Sequence, residues 1–254
     1  QSSSEFNIKN SAKAFGILSS GLYANKIRAV IRELSCNAVD SHTAAGKGDI
    51  PFVVHLPNVL EPWFSVEDFG IGLSHSQVLN IYTTYFESTK TASNDFIGAL
   101  GLGSKSPFSY TDNFTVTATK EGIRNIYSAY INNEGVPTIV LMESSETTDI
   151  NGVKISFSVN AREDFIKFVQ EAQEVFLYFK LKLIIKCSAG FIFNEDKYIE
   201  KDILPGISTI TKTYYQNAGS IAVMGNIGYA IDVPNAEKNL GNLAYLLHNN
   251  LELH

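Results

Sequence analysis

Apolar residues recur at helical spacing in the stretch from about residue 22 to 45, where Ile27, Val30, Ile31, Leu34 and Ala38 fall on one stripe. The pattern predicts a long amphipathic helix, preceded by a shorter one near residues 12–20. Short strands are expected near 51–57 and 62–68, then a short helix near 74–82. Beyond this the period changes to two. Phe114-Thr115-Val116-Thr117-Ala118-Thr119 and Asn125-Ile126-Tyr127-Ser128-Ala129-Tyr130-Ile131 flank Lys120-Glu121-Gly122, a hairpin signal. Residues 138–142 and 153–159 continue the alternation. Helices followed by mostly antiparallel strands specify an α+β class, a two-layer α/β sandwich.

After about Asn160 the texture shifts. Phe165, Phe168, Val169, Ala172, Val175, Phe176 and Phe179 return at helical spacing, as core or domain-junction residues do. Short strands follow, including Ser220-Ile221-Ala222-Val223-Met224 and Tyr229-Ala230-Ile231. A last amphipathic helix carries Leu240, Leu243, Ala244 and Leu247. Two domains are expected, residues 1–160 and the start of a second α/β domain over 161–254.

Three short boxes carry candidate chemistry. The first is Glu33-x-x-x-Asn37-Ala38-x-Asp40, within the long helix. At about 100° per residue, Glu33, Asn37 and Asp40 fall within roughly a 60° arc beside the apolar stripe. A carboxylate at such a rim can polarise a water as general base. The Asn37 amide oxygen is a hard ligand of the type magnesium accepts alongside phosphates and water. The second box, Asp68-x-Gly70-x-Gly72, ends a strand over Trp63-Phe64-Ser65-Val66. Its glycines permit close approach, and a buried carboxylate there can accept a hydrogen bond from an exocyclic amine. The third box runs Gly98-Ala99-Leu100-Gly101-Leu102-Gly103-Ser104-Lys105. Clustered glycines let successive amides cradle an anion, and Lys105 adds a movable positive charge. Neither GxxxxGK[ST] nor a GxGxxG turn after a first strand is present. Alone, each box reads equally well as an amphipathic helix, an Asp-stabilised turn or a glycine-rich loop.

Taken together, the boxes resemble in order and spacing the N, G1 and G2 boxes of the GHKL ATPases, the superfamily of gyrase, the ninety-kilodalton heat-shock chaperones, histidine kinases and MutL. A narrower resemblance, over roughly residues 12–120, is to the phage rIIA-type proteins. It is carried by Lys26-Ile27-Arg28-Ala29-Val30-Ile31-Arg32-Glu33-Leu34 and by Ser93-Asn94-Asp95-Phe96-Ile97-Gly98 through Ser109-Tyr110-Thr111-Asp112. The resemblance implies a Bergerat ATP-binding fold followed by part of a transducer-like domain, with ATP and Mg2+ as cofactors. Glu33 would activate the attacking water and Asn37 would bind magnesium. Asp68 would bind the adenine amine, with Gly70 and Gly72 beside the base. Gly98, Leu100, Gly101, Leu102, Gly103, Ser104 and Lys105 would supply the phosphate cradle. Asp40 would support the site, and residues from about Tyr82 to Ile97 would form a lid. One position departs from the family. Where a Thr is usual in the strand beneath the adenine, Asn151-Gly152-Val153-Lys154 has Val153, which lacks the hydroxyl.

The implied activity is that of a slow, magnesium-dependent ATPase acting as a conformational switch. The alternative is a nucleotide-binding interaction platform that does not hydrolyse; Glu33 favours the switch. The implied setting is the host cytoplasm, extending to the inner face of the host membrane, in lysis timing or resistance to prophage exclusion. A homodimer and a phage or host protein are the partners it suggests. A net charge of −6 argues against a broad nucleic-acid surface. No apolar run reaches membrane-spanning length; 181–187 is short and carries lysines. Cys36 and Cys187 leave either one disulfide or two structural thiols, and thiols suit a cytosolic setting. The five histidines form no ligand cluster and default to solvated positions. Gln1 is not a natural start, and Asn249-Asn250-Leu251-Glu252-Leu253-His254 reads as a strand just beginning, so a longer protein is expected.

Overall fold

A computed structural model describes residues 24–83, 103–176, 179, 183–186, 198–204, 207–212, 221–224, 226–230 and 251–253. The helices expected near 12–20 and 240–247 lie outside these residues.

Helix α1 runs Lys26–Ala44. Asn25 caps it, its side chain accepting from the Arg28 N–H at 3.0 Å. Its end is a Schellman closure: Gly46 takes the left-handed conformation (φ 65°), Lys47 N donates to His42 O at 2.9 Å and Gly46 N to Thr43 O at 3.0 Å. The expected stripe is buried, with Val30 and Ile31 fully so, and Leu34 and Ala38 nearly so. Glu171 anchors the helix start, accepting from Asn25 Nδ2 at 2.8 Å and from Arg28 Nε.

Strands β1 (Phe52–His55) and β2 (Trp63–Glu67) follow, then α2 (His75–Thr83) and a short 3-10 helix (Gly103–Ser109). Next come β3 (Asn113–Lys120), β4 (Ile123–Ile131), β5 (Pro137–Glu146) and β6 (Gly152–Ser158). The expected hairpin joins β3 and β4 through Glu121 (φ 53°) and Gly122 (φ 80°), both left-handed, as a two-residue type I′ turn requires. Helix α3 (Arg162–Phe176) buries Phe168, Ala172, Val175 and Phe176, members of the predicted apolar set.

The seven-stranded sheet has the order β5-β4-β3-β6-β2-β1-β7, where β7 is Leu183–Lys186. Its pairings are antiparallel except β1 with β7, so the sheet is mixed and the class is α+β. Register puts Phe64 opposite Phe157, and Val66 and Val116 opposite Ile155, so these buried side chains share one face. Helical rings reach that same face: Phe168 lies 5.1 Å from Phe64, and Tyr82 6.0 Å from Phe114. Apolar burial between these layers is the main stabilising term.

The structure divides into two units. The first extends through Ala172 and includes β7; the second holds β8 (Tyr198–Leu204), β9 (Ile207–Lys212), β10 (Ile221–Met224), β11 (Ile227–Ala230) and β12 (Leu251–Leu253). These form a five-stranded sheet of order β11-β10-β12-β9-β8, with β12 parallel to β10 and antiparallel to β9. Among the described residues, no helix is long and apolar enough to cross a membrane.

Candidate functional site

Helix α1 lines the site along its length. Glu33 and Asn37 lie one turn apart and both face Gly103, the first residue of the 3-10 helix. A Cβ built on Gly103 would stand 2.9 Å from Glu33 Oε2 and 3.5 Å from Asn37 Nδ2. The backbone passes directly over the polar pair, so a larger residue at 103 would push the Glu33 carboxylate aside. The first box and Gly103 of the third therefore meet in space. Arg32 Nη2 also donates to Glu33 Oε1 at 3.0 Å, an ion pair between part-buried neighbours. Asp40 is buried, 2 % exposed, on the same helix.

Two turns beyond Glu33, α1 reaches the second box. Ser41 Oγ donates to Asp68 Oδ1 at 2.8 Å, and Gly70 N donates to the same oxygen at 2.9 Å. At 1.5 Å per residue, Glu33 and Ser41 are about 12 Å apart along the axis. Asp68 is buried, and burial pushes its carboxyl up to about 6; the bonds from Gly70, Ser41 and the Val153 backbone only partly offset this. The loop bends back through Gly72 (φ 62°), where a Cβ would meet Thr119 O at 2.0 Å, so only glycine fits. Val153 stands beside Asp68: Asp68 N donates to Val153 O at 2.9 Å. Its neighbour Gly152 packs on the Asp68 carbonyl.

The third box is described from Gly103 onward; Gly98, Leu100, Gly101 and Leu102 lie outside the described residues. So does the expected lid beyond Thr83, while its first residues, Tyr82 and Thr83, close α2 and Tyr82 is buried. Lys105 differs from its expected movable charge. It is 6 % exposed within the 3-10 helix, and burial brings its ammonium down to about 8. Among the described residues, the buried hydroxyls of Ser104 and Ser106 have no hydrogen-bond partner. Buried hydroxyls are ordinarily paired, so two orphans close after Gly103 suit an oxygen-rich ligand.

The histidines also depart from expectation. His42 and His55 are buried rather than solvated. His42 Nδ1 lies 2.9 Å from Ile50 O, and its Nε2 accepts from Phe69 N at 2.8 Å. A carbonyl only accepts, so Nδ1 carries the proton and the ring is neutral; burial lowers its pKa accordingly. Lys47 Nζ donates to Phe69 O at 2.7 Å. Ser41, His42 and Lys47 thus hold the loop that carries Asp68. None was legible as a site residue, since each acts on a partner more than twenty residues away. Arg32 and Ser106 were missed for other reasons: Arg32 pairs with its own neighbour Glu33, and among the described residues the Ser106 hydroxyl has no partner that would mark it.

Comparison with protein-family models and with curated proteins finds no match to this chain.

Proposed function

We propose that this chain is a GHKL-type, magnesium-dependent ATP-binding switch of the phage rIIA kind, with a Bergerat fold and slow hydrolysis. One observation supports the reading: α1, which carries the first box, meets Gly103 of the third box at Glu33 and Asn37 and meets Asp68 of the second at Ser41. The residues present suit the ligand. Asp68 offers a buried acceptor for the adenine amine. Gly103, Ser104 and Lys105 offer a close backbone, hydroxyl groups and a cation for phosphates. Asn37 would hold magnesium, which when bound would screen phosphate charge. Glu33 would orient and deprotonate a water once it leaves Arg32. The second unit would be transducer-like, and the cycle would act on a phage or host partner, with a homodimer as the working form.

Calorimetric titration of ATP with and without magnesium, beside phosphate-release assays, tests this. Magnesium-dependent binding is the expected result; folded protein that binds no adenine nucleotide would remove the reading. The Arg32–Glu33 pair supports a second reading, a nucleotide-binding platform that does not hydrolyse, because a carboxylate held by guanidinium is a poorer base. Absence of phosphate release despite tight ATP binding would select it.

A further inference from the structure

We infer that Ser41 is a positioning residue for the base end of the nucleotide site: its hydroxyl fixes the orientation of the Asp68 carboxylate and keeps it in its acceptor form. The inference rests on the proposed nucleotide-binding reading and extends it to a residue outside the three boxes.

The geometry is specific. Ser41 Oγ donates to Asp68 Oδ1 at 2.8 Å and itself accepts from Ile71 N at 3.2 Å. The hydroxyl is therefore oriented, with its proton directed at the carboxylate. Gly70 is pressed against it; a Cβ there would stand 2.2 Å from Ser41 Oγ, so no other residue fits between loop and helix. The loop is gripped again at Phe69, whose N–H goes to His42 Nε2 and whose carbonyl accepts from Lys47 Nζ. These four bonds leave the Asp68–Ile71 turn little freedom relative to α1. Two of them involve the Ser41 hydroxyl, and only its bond reaches the carboxylate.

The charged groups around Asp68 sharpen this role. Glu67, next to it, adds like charge and pairs with Lys154 at 3.5 Å. His42 and Lys47 bond to the backbone of Phe69 and not to the carboxylate. Ser41 is the side-chain donor that favours the ionised form, alongside the backbone donors Gly70 and Val153. An ionised, immobile carboxylate is the stronger acceptor for an amine. Without the hydroxyl, burial acts with less opposition and the acid limb of nucleotide affinity must move to higher pH.

The test compares the full chain with Ser41→Ala, titrating ATP, ADP, adenosine and magnesium tripolyphosphate from pH 5 to 8. The Ala variant should bind ATP, ADP and adenosine about 10-fold more weakly, by the same factor for each. Tripolyphosphate, which lacks the base, should bind unchanged. The acid limb for adenosine should shift upward in pH. Ser41→Cys, of similar size but a weaker donor, should show an intermediate loss and guards against a packing artefact. Unchanged adenosine affinity with an unmoved acid limb overturns the inference. So does an equal loss on tripolyphosphate, the mark of a general structural defect. Parent protein that binds none of the four probes removes the proposed function and this inference with it, a result distinct from a parent that binds and a variant that does not differ.

Discussion

Asp68→Asn should stabilise the protein while weakening its ligand binding, and the gain should depend on pH. In the folded state burial raises this carboxyl from 3.8 to about 6. The folded protein therefore holds the proton more tightly than the unfolded chain. Below about pH 4 both states are protonated and the group contributes nothing. As pH rises from about 4 to 6 the unfolded chain ionises first, and folding is progressively penalised. Above about pH 6 the penalty is full, roughly 3 kcal/mol for a shift of about two units. An amide retains an oxygen for the Ser41 and Gly70 donors and carries no charge to bury. The amide NH2 then stands where an oxygen was, so the gain is at most that 3 kcal/mol. His42 pulls the other way in the same window, because its lowered pKa makes folding more favourable as pH rises toward its ordinary value. The informative quantity is the difference between variant and parent, in which His42 cancels. Urea unfolding followed by the single tryptophan, Trp63 on β2, gives that difference at pH 4.5, 6 and 7.5. It should be only about a third of its full value at pH 4.5 and grow toward neutrality, while adenine affinity falls by about 1.5–3 kcal/mol. A difference flat in pH, or a variant less stable at pH 7.5, would refute the argument that a charge is buried here.

Glu33→Ala should leave ATP bound and slow phosphate release by about 10²–10⁴-fold, the usual contribution of a general base; equal turnover removes Glu33 from the chemistry. Lys105→Met should weaken ATP and ADP by about 10-fold or more and spare adenosine. In the parent, the preference for ATP over adenosine should decline as pH rises through about 8, where the buried Lys105 loses its proton; titrations at pH 7 and 9 check both statements. Glu121→Asn should raise stability by about 0.5–1 kcal/mol, since asparagine tolerates the left-handed conformation that Glu121 adopts at φ 53°; a thermal melt that moves downward would contradict the turn assignment.

Local pattern carried much of the fold. The stripe from Ile27 to Ala38 marked α1, because an amphipathic helix declares itself within a few turns. Lys120-Glu121-Gly122 marked the β3–β4 turn, because a two-residue loop has few chemical solutions. The parallel partner of β1 was not legible. Residues 181–187 read only as a run too short for a membrane, yet β7 from that run pairs with β1 across more than a hundred residues. Parallel pairing leaves no local turn signal. The β-edge is therefore a long-range decision that periodicity cannot show.

The candidate site divides along the same line. Glu33 and Asn37 could be placed together from helix spacing alone, and the structure adds Gly103 above them. Lys105 could not be read as buried, since a lysine after glycines in a polar stretch defaults to solvent. Its burial follows from the 3-10 helix packing against α1, a contact between segments distant in sequence. Asp68 shows the consequence most directly. Its DxGxG setting suggests a turn, but its chemistry depends on Ser41, twenty-seven residues earlier, and on a strand at Val153. A carboxylate in a solvated turn would sit near its ordinary range; the same residue enclosed by α1 and β6 is raised to about 6. Placement against α1 thus converts a common turn motif into a buried acceptor, and the Ser41 hydroxyl ties the loop's geometry to the helix that also carries Glu33 and Asn37.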